Sequence, residues 1–115
     1  MKYNVIAVDF DGTIVTENYP EVGTLIPAAK QTLKRFKEKG GYIVVWTCRE
    51  GKTLKDSIEF LNDWNIPYDA VNENLPHRIK QYGNDPRKIG ADLYIDDRTP
   101  NGVDWNYIAK LLEVE

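Results

Sequence analysis

Short apolar strands alternating with amphipathic helical segments predict an α/β fold built on a small, mainly parallel sheet. Three observations carry that expectation. The run Val5-Ile6-Ala7-Val8 stops at two acids and a glycine, Asp9-Phe10-Asp11-Gly12. A second run, Tyr42-Ile43-Val44-Val45-Trp46, is β-branched and apolar throughout, as a strand buried on both faces is. Between such runs, apolar residues recur at helical spacing.

Residues 3–8 are the first strand. Residues 12–23 hold Pro20, several β-branched residues and no helical period, which predicts a loop or small hairpin flap. Pro27 suits the first turn of a helix that turns Ala29, Leu33 and Phe36 inward, and Gly40-Gly41 ends it. After the second strand, at 42–46, residues 52–64 place Leu54, Ile58 and Leu61 on one helical face. A third strand is expected at 68–71, after Ile66-Pro67. Residues 72–87 are polar, with turn signals at Pro76, Gly83 and Asp85-Pro86, and read as irregular. A fourth strand at 92–95, a turn at 100–102 and a helix from Asp104, with Trp105, Ile108, Leu111 and Leu112 inward, complete the order. Trp46, Trp64 and Trp105 fall on apolar faces and are assigned to the core. The lone His77 reads as a loop residue, and the run from Lys30 to Lys39 as a solvated helix face.

At 115 residues the chain has the size of one domain, expected to span 1–115. A net charge of −3 argues against broad nucleic-acid binding. The single Cys48 excludes an internal disulfide, and the first apolar segment is far too short for a signal peptide or a membrane span. A cytoplasmic protein that contacts neither nucleic acid nor membrane is the expectation.

Asp9 and Asp11 end a buried strand one residue apart, so an extended backbone points both the same way. Two like charges at about 4 Å repel by roughly 4 kcal/mol at an effective dielectric of 20. Such a pair is stabilised by a cation or by protonation of one member. Ligands of parallel sheets bind beyond the carboxyl ends of the strands. There the sequence places Asp9 and Asp11, Thr47, and Asp96-Asp97.

These residues match a known family. Val8-Asp9-Phe10-Asp11-Gly12-Thr13-Ile14 resembles the first motif of the haloacid dehalogenase-like phosphatases. Thr47 after Ile43-Val44-Val45-Trp46 resembles the second, Lys88 the third, and Leu93-Tyr94-Ile95-Asp96-Asp97 the fourth. The resemblance spans essentially the whole chain and implies a three-layer, Rossmann-like α/β sandwich. It also implies roles: Asp9 as the nucleophile that forms an aspartyl phosphate, and Asp11 as the acid that protonates the leaving oxygen and then activates water. Mg²⁺ would be held by Asp9, the main-chain carbonyl of Asp11 and an acid of the fourth motif, Asp97 ahead of Asp96. Thr47 would hydrogen-bond a phosphoryl oxygen and Lys88 would offset charge. The family lysine is often followed by proline; here Ile89 follows, which leaves Lys80 and Arg87 as alternatives. Gly12, Thr13, Cys48 and Arg49 are the candidates to line the substrate site. Arg49 either binds an anionic group of the substrate or pairs with Glu50 or a nearby Asp.

Neither the stretch from Gly12 to Gly41 nor that from Cys48 to Arg87 has room for a folded cap domain. The resemblance is therefore to a capless, minimal member, whose open site suits a phosphorylated sugar, another phosphorylated small molecule or a bulky phosphate ester, with a second subunit of a homo-oligomer as a substitute lid. The fragments Trp46 to Gly51 and Ala91 to Arg98 also look like a small bacterial subgroup associated with capsular or surface-polysaccharide genes. Three other functions compete: a nucleotidase, since paired acids before Arg98 also resemble small deoxynucleotidases; a non-catalytic binding module; and a phospho-accepting receiver domain, which would be labelled at Asp69.

Overall fold

The computed structural model describes residues 1–115. Its sheet has four parallel strands: β1 (Val5–Val8), β2 (Tyr42–Val45), β3 (Ala70–Val71) and β4 (Leu93–Ile95). Helices α1 (Ala29–Glu38), α2 (Gly51–Asp63), α3 (Pro76–Tyr82) and α4 (Trp105–Leu111) alternate with them. The strand order is β3-β2-β1-β4. The chain steps outward from β1 to β2 to β3, so right-handed crossovers put α1 and α2 on the same face. It then returns past β1 to β4, which puts α3 on the other.

The two faces bury different amounts. Ile6, Val8, Ile43, Val45 and Ile95 point into a core with Leu33 and Phe36 of α1, Leu61 of α2, and Trp105 and Ile108 of α4. The alternate residues Val5, Ala7, Val44 and Ala70 form a smaller core with Leu75 and Ile89. This is the three-layer α/β sandwich expected, without a cap. No helix is long and apolar enough to cross a membrane.

Several expectations need correction. Residues 76–82, read as irregular, form α3, a helix with Pro76 at its start and Gly83 in the left-handed conformation at its end. It has no fully buried residue, so its sequence carries no apolar period. Pro27 lies two residues before α1, and Ala28 takes the cap position with a left-handed φ of 71°. Of the three tryptophans only Trp105 is buried; Trp46 is 39% and Trp64 50% exposed. Trp46 follows the last paired residue of β2 and lies outside the smaller core, with its ring against Tyr94 and the rest open to solvent.

Residues 12–26 form a flap. It is held by single bridges between Asp11 and Val15 and between Val15 and Leu25 rather than by a regular hairpin. Ile14 and Val15 anchor its base in the main core, while residues 16–21 are exposed.

Candidate active site

A topological switch occurs where neighbouring crossovers leave the sheet in opposite directions, here between β1 and β4. Asp9 follows β1 and Asp96-Asp97 follow β4, and the amide of Asp9 donates to the carbonyl of Ile95. Carboxylate oxygens of Asp9, Asp96 and Asp97 come within 4.8 Å of one another. They line a cleft of ≈ 420 Å³ together with Asp11, Glu17, Tyr19, Thr47, Cys48, Arg49 and Arg98.

The crowding has an electrostatic consequence. Burial, reinforced by the neighbouring Asp96, pushes the Asp9 carboxyl up from 3.8 to about 7. Asp97 is raised too, by burial and by its hydrogen bond with Asp96. Three carboxylates with no His or Cys among them form a hard oxygen donor set, which suits Mg²⁺ rather than Zn²⁺.

Local geometry builds the cluster. Gly12 has a φ of 78°, and a side chain there would collide with the Asp97 carboxylate. Thr13 is fully buried: its Oγ1 donates to Asp9 Oδ2 (3.2 Å) and accepts from the Asp97 amide (3.1 Å). Its carbonyl accepts from Trp105 Nε1 at 2.8 Å, tying the loop to α4. Thr13 therefore links two acids instead of presenting its hydroxyl to a substrate.

Asp11 does not join the carboxylate trio. Arg49, 3% exposed, grips it with a two-point fork, Nε to Oδ2 at 2.7 Å and Nη2 to Oδ1 at 2.8 Å. Of the partners weighed for Arg49, the one found is this Asp. Thr47 lines the cleft; its Oγ1 accepts from the Arg49 amide, and its own amide donates to Asn72 Oδ1. Cys48 is exposed on the same wall. Lys88 lines an adjoining pocket with Asp9 and Asp96, whereas Lys80 and Arg87 line neither space. Asp69, the receiver-type candidate, precedes β3 and is occupied by Lys37 and the Ile43 amide.

A family model described as haloacid dehalogenase-like hydrolase matches residues 6–74. The chain belongs to the haloacid dehalogenase-like hydrolases. A solved structure of a conserved protein from Bacteroides thetaiotaomicron is 38% identical to this hydrolase. The likeness covers 95% of this chain and 88% of that one, with a TM-score of 0.85. No curated protein matches the sequence.

Two features of the hydrolase escaped the sequence. The first is a clip that positions Lys88. Buried Asn74 donates from Nδ2 to Asp85 Oδ1 (2.7 Å) and the Pro86 carbonyl (3.0 Å), and its Oδ1 accepts from the Gly90 amide (2.7 Å). Lys88 therefore sits on a short arc pinned on both sides. Asn74→Ala is expected to cost about 1–3 kcal/mol by leaving buried partners unsatisfied, read as a lower urea midpoint. It should also slow turnover beyond what the lost stability explains, measured well below the transition. Asn74 gave no signal because its value lies in partners up to 16 residues away.

The second feature is an aromatic ledge. Tyr94 pairs with Ala7 in the sheet and Trp46 follows β2 directly; their ring centroids are 5.9 Å apart and their planes inclined at 49°. Lys88 Nζ lies over the Tyr94 ring, and the Tyr94 hydroxyl donates to the Ile89 carbonyl. With Arg98 they wall a pocket of ≈ 280 Å³ that shares Asp9 and Asp96 with the cleft.

Proposed function

We propose that this hydrolase is a Mg²⁺-dependent phosphohydrolase that cleaves phosphate monoesters through an aspartyl phosphate on Asp9. The observation that carries the proposal is the meeting of Asp9, Asp96 and Asp97 at the switch point, with Asp11 one residue beyond Phe10 on the same cleft. An Asp9 oxygen attacks phosphorus as the bond from phosphorus to the leaving oxygen breaks. Asp11 gives its proton to that leaving oxygen. The Asp11 carboxylate then takes a proton from the water that attacks phosphorus and frees Asp9.

Asp9, Asp96 and Asp97 would hold the Mg²⁺, with the Asp11 carbonyl as a further oxygen, since the Asp11 side chain is committed to Arg49. Bound there, the ion supplies positive charge to the nucleophile and the phosphoryl oxygens. Thr47 serves as a donor to a phosphoryl oxygen, and Lys88 adds a second positive charge from the other side of Asp9. A panel of phosphorylated metabolites assayed with Mg²⁺ and with EDTA tests the proposal. Turnover of no ester, or turnover indifferent to EDTA, refutes it.

The ledge favours a second reading of the substrate, in which the leaving group carries a ring, as in a nucleotide. Stacking of a ring on an aromatic side chain is worth about 1–3 kcal/mol, so Trp46→Ala should raise KM for a ring-bearing ester roughly 5- to 150-fold. KM for acetyl phosphate, which has no ring, should stay unchanged. Equal KM values for both proteins on both compounds would leave the ledge without a role in substrate binding.

A further inference from the structure

We propose that Arg49 is a positioning residue that fixes the plane of the Asp11 carboxyl and locks the flap beside it. The inference rests on the role given to Asp11 above and concerns a residue outside that chemistry.

An arginine has five N–H donors, and all of those on Arg49 are directed at the protein. Nε and one N–H of Nη2 hold Asp11. The other N–H of Nη2 donates to the Glu21 carbonyl at 2.8 Å, and Nη1 donates to the carbonyls of Pro20 and Thr53, each at 3.1 Å. The guanidinium also lies over the Phe10 and Tyr19 rings, 5.4 and 5.1 Å from their centroids. One buried side chain thus ties together the acid, the flap and the first turn of α2. No donor is left for a substrate anion.

The fork leaves Asp11 usable. A carboxylate has about four lone-pair sites, and the fork takes one from each oxygen. The remaining site on each oxygen can carry or accept a proton, in a plane that Arg49 sets. A carboxyl free to rotate would have to find that orientation in every turnover. Lysine in place of Arg49 keeps the charge but cannot form the fork.

A pair of esters separates positioning from general support. An alkyl phosphate such as glycerol phosphate has a poor leaving group that needs a proton; 4-nitrophenyl phosphate does not. The ratio kcat/KM reports only events up to departure of the leaving group. Arg49→Lys should lower kcat/KM for the alkyl ester about 100-fold, the scale of general-acid catalysis. For the nitrophenyl ester the fall should stay below roughly 5-fold, because that leaving group draws little on general-acid help. Asp11→Asn should show the same split, and adding Arg49→Lys to it should change neither ratio further. Added guanidinium should restore part of the alkyl activity of Arg49→Ala. Equal losses on both esters overturn the inference, as does an Arg49→Lys protein that fails to fold while Asp11→Asn folds. A wild-type protein inactive on every ester instead sinks the phosphohydrolase proposal itself.

Discussion

Asp9→Asn is expected to abolish ester turnover, by about 10⁴-fold or more, the scale on which loss of a covalent nucleophile acts. The amide cannot form the acyl phosphate, and no neighbour can take its place. Asp11 is clamped by Arg49, and Asp96 and Asp97 follow another strand. The variant should fold, because Asn is nearly isosteric and still accepts from Thr13 Oγ1. It should also melt higher than wild type in EDTA, since it removes a carboxylate that burial and Asp96 disfavour. Loss of activity with raised stability separates a reactive group from a structural one. Full activity in Asp9→Asn would remove the covalent mechanism.

Metal dependence should appear as a pH-dependent stability before any ester is added. The folded state holds the Asp9 proton up to about pH 7, whereas the usual carboxyl value is 3.8. Between these values the unfolded chain has released a proton that the folded chain keeps. Metal-free stability must therefore fall as pH rises through that window, with the whole penalty present above it. A cation competes with the proton for the same oxygens, so Mg²⁺ should stabilise more at about pH 8 than at about pH 5. At free Mg²⁺ near 100 times its Kd the gain is about 2.7 kcal/mol, or roughly 10 °C in Tm for a chain of this size. Asp97→Asn should raise Tm in EDTA, erase most of the Mg²⁺ increment and lower turnover at least about 100-fold. A Tm that ignores Mg²⁺ at both pH values would show that the trio holds no ion.

Much of the fold was legible because its determinants are local. Val5 to Val8 and Tyr42 to Val45 are continuous apolar runs, and the period of Ala29, Leu33 and Phe36 reports a helix lying on a sheet. α3 was not legible: it packs through Leu75 ahead of it and Ile89 beyond it, and its own residues stay wet. Trp46 shows the opposite failure. An aromatic residue ending a buried strand looks like core, yet only the run of neighbouring strands decides whether anything covers it.

The sequence by itself determined the chemistry on offer: which acids, hydroxyl and lysine exist, and that strand ends carry them to one edge of a parallel sheet. Tertiary structure alone decided how those groups are divided. Asp96 and Asp97 close on Asp9, while Asp11, two residues from it, is turned to a buried arginine from another loop. The physical reason is that strand periodicity dictates direction along one chain segment. Pairing of charges in a dry site depends on which segments the sheet order brings within hydrogen-bond reach, and no local pattern records that.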